Sequence, residues 1–160
     1  IIFMEHKLIY KIKDNLELND IPKEPSMLGK ANIASEGKDI TIVSYSNMVN
    51  VAKEAIAAEE LQNYSIELID LQTVSPIDYD TIKTSLKKTK KLLVCQEAPS
   101  NSSVGTTVIS KIVESELFQE LEIAPKLVSG LHSPMPSAKH LELNVIPQVE
   151  DITNAVKSML

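Results

Sequence analysis

The chain contains no tryptophan and no arginine, one cysteine and four glycines among its 160 residues. Each scarcity removes a class of function. Without arginine, the chain offers no planar guanidinium fork to clamp a phosphate or carboxylate, because a lysine ammonium is only a point charge. Aromatic residues make up 4%, too few for a platform on which bases stack. The formal net charge of −6 opposes a polyanionic partner, so nucleic acid is excluded. The lone Cys95 makes no disulfide framework and fits a reducing compartment. It sits in an apolar run, where a thiol is a poor nucleophile. No apolar stretch approaches the ~20 residues of a membrane span, so no membrane partner is expected. His6, His132 and His140 lack the spacing of metal ligands. Glycine-rich phosphate loops and the Gly-x-Ser-x-Gly nucleophile turn are also missing.

What remains is an aliphatic protein, 43% apolar, long enough for one domain and for a core of its own. It is organised around Lys91-Leu-Leu-Val-Cys-Gln-Glu-Ala-Pro99, followed by the polar run Ser100-Asn-Ser-Ser103 and a switch to helical spacing at Val104. That pattern is a buried parallel strand handing over to a crossover helix. The same unit recurs on either side. Strands are predicted at residues 39–44, 65–71, 91–96 and 125–129. Helices are predicted from Met48 to about Leu61, from Asp78 to Lys88, from Val104 to Leu121 and from Pro147 to Leu160. Ser46 or Asn47 would cap the first helix and Asp78 the second. Residues 31–34 are expected to form an antiparallel ribbon with residues 39–44 around Gly37. Strand–helix alternation implies right-handed crossovers. The fold class is therefore α/β, a three-layer α-β-α domain with a mostly parallel sheet.

The chain opens on Ile1-Ile-Phe-Met-Glu5, which reads as the end of a strand, so the expectation is a fragment of a longer polypeptide. Residues 1–10 would close a preceding domain, residues 11–25 form a linker, and residues 26–160 make the main domain. Ligands of such sheets sit at the carboxyl ends of the strands. Four loops should converge there, at residues 44–46, 72–76, 96–105 and 129–136. They carry two titratable candidates, Glu97 and His132. Ser102 or Ser103 either caps the following helix or helps cradle an anion. On the residues alone, no complete catalytic constellation is present.

The ordered series Ile-Phe-Met-Glu-His-Lys-Leu-Ile-Tyr, Leu-Gly-Lys-Ala-Asn-Ile, Glu-Gly-Lys-Asp-Ile-Thr-Ile-Val, Ile-Asp-Leu-Gln-Thr-Val-Ser-Pro-Ile-Asp, Gln-Glu-Ala-Pro and Ile-Pro-Gln-Val-Glu-Asp-Ile spans essentially the whole chain. It resembles the C-terminal part of the beta subunit of thiamine-diphosphate-dependent 2-oxo acid dehydrogenases, the pyruvate, branched-chain and acetoin enzymes. The domain type is similar to the transketolase C-terminal domain. The chain departs from the usual pattern at Asn101–Ser103, where a glycine pair is common, and at His132, where Asp is common.

The resemblance implies that residues 1–10 end a pyrimidine-binding domain. It implies that the cofactor-activating Glu and active-site His lie outside this chain, and that the alpha subunit holds the diphosphate and its Mg²⁺. The intact enzyme would use thiamine diphosphate and Mg²⁺ to pass an acyl group to a lipoyl arm. This fragment would bind neither and be inactive alone. Its expected roles are assembly with the alpha subunit and a second beta subunit, and docking of the dihydrolipoyl acyltransferase. Glu150, Asp151 and the Leu160 terminus are the candidate contacts to that partner's basic subunit-binding domain. The compartment implied is the cytoplasm of a bacterium, or the mitochondrial matrix of a eukaryote. The alternative is a stand-alone α/β module binding a small molecule or a partner. A phosphoacceptor domain is ruled out because Ser44-Tyr-Ser46 stands where an acidic pair is required.

Overall fold

The computed structural model describes residues 4–13 and 27–160. Most of the predicted linker, residues 14–25, and the first three residues of the predicted opening strand lie outside them. Met4 and Glu5 are not in a strand. The elements in chain order are β1 (Asn32–Ser35), β2 (Ile40–Ser44), α1 (Met48–Ala57), β3 (Ile66–Asp70), α2 (Tyr79–Thr89), β4 (Leu92–Pro99), α3 (Val104–Val113), β5 (Lys126–Gly130), α4 (Lys139–Glu142) and α5 (Val149–Lys157).

The five strands form one sheet in the order β1-β3-β2-β4-β5. β2 pairs in parallel with both β3 and β4, and β4 pairs in parallel with β5. Successive residues of a strand point to opposite faces, and both faces are covered, so β2 reads as a continuous buried run. Ile40 and Ile42 pack with Ala52 of α1 and Ile152 and Val156 of α5. Val43 packs on the other face with Ile82 and Leu86 of α2 and Val108 and Ile112 of α3. Each such side chain contributes about 1.5–3 kcal/mol by leaving water. The three-layer, mostly parallel architecture expected from the sequence is present.

Local chemistry sets the helix ends. The Asp78 carboxylate accepts the Thr81 N–H at 3.2 Å and caps α2. The same carboxylate accepts the Ala31 N–H at 3.1 Å, which pins the approach to β1. Ser103 and Thr106 form a reciprocal capping box at the start of α3, so the cap reading of Ser103 holds and not the anion cradle.

Four local expectations are corrected. β1 pairs antiparallel with β3, as Asn32 opposite Asp70 and Ile33 opposite Ile69, and not with β2. β2 already has a neighbour on each side, so it had no free backbone groups to offer, whereas the outer edge of β3 did. α1 ends at Ala57, because Ala58 is extended, and a short 3-10 turn (Glu59–Leu61) follows. α3 stops at Val113, where Ser115 is extended and its hydroxyl takes the Ile112 carbonyl at 2.7 Å, in competition with the helix. A 3-10 turn (Glu116–Glu120) replaces the rest. The last helix is α5 alone, shorter at both ends than residues 147–160.

Candidate functional site

At the carboxyl edge of the sheet, Ser46 (φ 58°) follows β2 and Gln72 (φ 51°) follows β3. Both hold left-handed backbone, which costs a residue with a Cβ roughly 1–2 kcal/mol. At Gln72 the cost is partly offset, since its N–H donates to Asp70 Oδ1 at 3.0 Å. A cavity of about 640 Å³ opens between these loops, the first half of α1 and residues of the 4–10 segment. Its polar lining includes Asn50, Lys53 and Asp70. Burial holds the Asp70 carboxyl above the ordinary carboxylate range, only partly countered by the Gln72 N–H and the Lys53 charge. Two of the four predicted loops line this cavity. The loops at residues 96–105 and 129–136 do not.

Glu97, predicted as a loop residue, lies within β4 near its carboxyl end and ties three segments together. Its Oε2 meets His6 Nε2 at 3.1 Å, and its Oε1 accepts the Asn47 Nδ2 at 3.3 Å. His6 Nδ1 accepts the Leu8 N–H at 3.3 Å. With Nδ1 occupied as an acceptor, Nε2 carries the proton and donates to Glu97. Asn47 therefore occupies the N-cap position of α1 with its side chain turned away to Glu97, and no side chain caps that helix. Burial and the Glu97 charge together push the Tyr45 phenol up.

The Gln-Glu-Ala-Pro turn braces itself. Gln96, 1% exposed, donates from Nε2 to the Ala98 and Pro99 carbonyls and accepts the Gly105 N–H on Oε1 at 2.7 Å. Gly105 fits closely: a Cβ there would lie 2.6 Å from Leu127 Cδ1 and 2.7 Å from Gln96 Oε1, so those side chains would have to shift. Helix α3 thus closes on β5 through a residue without a side chain.

The other predicted site residues stand apart. His132 is exposed in the loop after β5 and does not reach Glu97 or the cavity. Cys95 is fully buried, and burial pushes its thiol far up, as an inert core cysteine. Glu150 and Asp151 lie in the first turn of α5, where Asp151 Oδ2 accepts the Gln148 N–H at 2.8 Å. Leu160 lies beyond the other end of that nine-residue helix, about 13 Å away at the helical rise. It lines a recess with Lys38, Lys90 and Lys91. Sequence reasoning missed Glu67 and Lys88. Glu67 is 1% exposed and is bonded through Oε2 to Lys88 and to the Gly37 N–H. The signal was available as a charge inside the apolar run Ile66-Glu67-Leu68-Ile69.

No acid–base pair flanks a nucleophile at this edge, and among the described residues no three of His, Cys, Asp and Glu stand together to hold a metal ion. The arrangement braces the end of β4 against α1 and the 4–13 segment. No helix among the described residues is long and apolar enough to cross a membrane.

Comparison with known proteins adds three findings. The family described as "Transketolase, C-terminal domain" matches residues 29–152. The chain is 37% identical over 159 residues to a Rickettsia bellii protein named pyruvate dehydrogenase E1 component subunit beta, covering 99% of this chain and 48% of that protein. It is 36% identical over 158 residues to the mitochondrial protein of that name from Dictyostelium discoideum, covering 98% and 44%. The chain thus spans about half the length of the curated relatives it matches. A solved structure titled split gene transketolase, inactive beta4 tetramer, superposes with a TM-score of 0.70 at 24% identity, over 92% of this chain and 46% of that one. That likeness shows the fold.

Proposed function

Because this chain belongs to the transketolase C-terminal domain family, we propose that it is the C-terminal half of a dehydrogenase beta subunit of the pyruvate type. The observation that carries the reading is the similarity to proteins named pyruvate dehydrogenase E1 subunit beta, at 36–37% identity along 98–99% of the chain. On this reading residues 1–10 close a pyrimidine-binding domain, residues 11–25 link the domains, and residues 26–160 form the assembly domain. The partners are an alpha subunit, a second beta subunit and an acyltransferase. The compartment is a bacterial cytoplasm or a mitochondrial matrix.

The intact enzyme of this proposal uses thiamine diphosphate and Mg²⁺. The described residues do not fit that group. The chain has no arginine, the start of α3 is closed by its own Ser103–Thr106 box, and the carboxylates do not gather in threes. No catalytic step is therefore derived through the cofactor from this chain. What its residues supply is bracing: Glu97 holds the segment before the domain against α1 and β4.

Docking of a basic subunit-binding domain is assigned to Glu150 and Asp151, both exposed at the start of α5. The Leu160 end, beside a recess of mixed charge with Lys38, Lys88, Lys90 and Lys91 next to Asp39 and Glu122, is the third proposed contact to that partner.

The test is to purify the native protein from its source and determine its mass, its companions and its activity. The expected result is a subunit about twice the 17.7 kDa of this chain, held by a second subunit, with pyruvate-dependent and thiamine-diphosphate-dependent reduction of a dye acceptor. A free 17.7 kDa protein without activity supports the stand-alone binding module instead. Activity with acetoin or a branched-chain 2-oxo acid, and not with pyruvate, moves the substrate assignment.

A further inference from the structure

Glu67 sits in the middle of β3, opposite Thr41 of β2, on the face covered by α2. It belongs to a buried polar layer unlike the aliphatic packing farther along the same helix. Thr41 Oγ1 lies 2.6 Å from both Ser85 Oγ and Thr89 Oγ1, and all four residues are at most 4% exposed. Glu67 Oε2 is satisfied by Lys88 and the Gly37 N–H, but Oε1 is buried and no described residue donates to it. A buried carboxylate oxygen without a donor costs several kilocalories unless something positive reaches it.

Beside it a recess of about 320 Å³ runs between α2 and the edge strand β1. Among the described residues its lining carries the oxygen-bearing side chains of Glu67, Asp80, Thr81, Thr84 and Ser85, beside Ile33 and the cation Lys88. Lys88 is shared further with Glu36 at 3.6 Å. Two carboxylates, Glu67 and Glu36, thus share one ammonium, and Glu67 Oε1 is left outside that pairing.

We propose that this recess binds a monovalent cation, an alkali-metal or ammonium ion, with Glu67 as its anchoring ligand. Ligand atoms that are all oxygens select hard cations over transition metals, which favour imidazole and thiolate. Lys88 already occupies one carboxylate oxygen, and no third acidic ligand, His or Cys joins the lining. A divalent ion draws on several carboxylates to offset its dehydration. Hydroxyl oxygens and one buried carboxylate oxygen suit a weakly hydrated single charge. The bound ion would lock α2 to β3 and β1, and its occupancy would follow the salt composition around the protein.

The test is a thermal unfolding series on the chain in tetramethylammonium chloride, replaced stepwise by KCl, NaCl or NH₄Cl at constant ionic strength. The expected result is a saturable Tm rise of about 3 °C with at least one of these ions, lost in Glu67→Gln. Should Glu67→Gln fail to fold, the exposed Asp80→Asn reports instead by moving the saturation midpoint to higher concentration. Crystals grown in RbCl should show anomalous density in contact with Glu67 Oε1. A Tm indifferent to the cation overturns the proposal. So does stabilisation by Mg²⁺ or Ca²⁺ alone, or an ordinary water at Oε1 without anomalous signal.

Discussion

Glu97 Oε2 and His6 Nε2 meet at 3.1 Å across 91 residues of sequence. The contact fastens the segment at residues 4–13 to the carboxyl end of β4. His6 thereby has both ring nitrogens engaged, Nε2 as donor to Glu97 and Nδ1 as acceptor from the Leu8 N–H.

Replacing His6 by Ala is expected to loosen that segment while leaving the sheet intact. The two side chains are 27% and 28% exposed, so the loss is about 0–1 kcal/mol. Hydrogen exchange reads it directly. The Leu8 amide, which donates to His6 Nδ1, should exchange faster in the variant, and the amides of β4 should not. Unchanged exchange at Leu8 would mean that the segment is held by other contacts.

Stability should fall in acid through two carboxylates. Burial pushes the Glu67 carboxyl up, but the bonds from Lys88 and the Gly37 N–H outweigh it and the net shift is downward. Burial acts the same way on Asp78, and the Ala31 and Thr81 donors with the Lys30 charge bring it below the usual range. A carboxylate depressed in the folded state stabilises above its unfolded value of about 4 and loses that contribution as pH falls through the folded value. Urea midpoints measured from pH 7 downward should therefore drop below about pH 4. Glu67→Gln and Asp78→Asn should each flatten the drop.

Gly105→Ala is expected to destabilise by about 1–3 kcal/mol through overpacking, although alanine is the better helix former. The added Cβ meets Leu127 Cδ1 at 2.6 Å and Gln96 Oε1 at 2.7 Å, and Gln96 is locked by three hydrogen bonds of its own. Equilibrium urea unfolding measures it. A neutral or stabilising outcome would show that Leu127 moves aside freely.

Cys95 should not react with a thiol-specific reagent in the folded protein, since it is fully buried with a thiol that burial keeps protonated. Reaction should appear only with unfolding and at the global unfolding rate. Fast labelling of the native chain would point to local opening of β4.

If Glu150 and Asp151 dock a basic subunit-binding domain, the affinity should fall as NaCl rises, because exposed charges are screened. Isothermal titration at several salt concentrations, with Glu150→Lys as comparison, gives the dependence. A salt-independent affinity would sink the electrostatic assignment.

Much of the fold was legible in residue order. Strand and helix periodicity is a property of neighbouring residues, and so are the caps at Asp78 and Ser103, each set within three residues of its donor. The parallel sheet followed from the strand–helix alternation. The candidate site was less legible. Glu97 could be singled out as a carboxylate ending an apolar run, but its partners His6 and Asn47 are 91 and 50 residues away. Glu67 broke the apolar pattern of its strand, yet only its position under α2 reveals that this buried carboxylate pairs with Lys88.

The sequence by itself determined the α/β class, the order of the main strands and helices, and the resemblance to the transketolase C-terminal domain, because these rest on local periodicity and on motifs read in order. The tertiary structure alone decided that β1 joins β3, since pairing depends on which edge still has free backbone groups once β2 is flanked on both sides. It alone decided which loops enclose the cavity, and it alone left one oxygen of Glu67 without a donor. Those outcomes depend on distances between remote segments, and only packing the helices onto the sheet sets such distances.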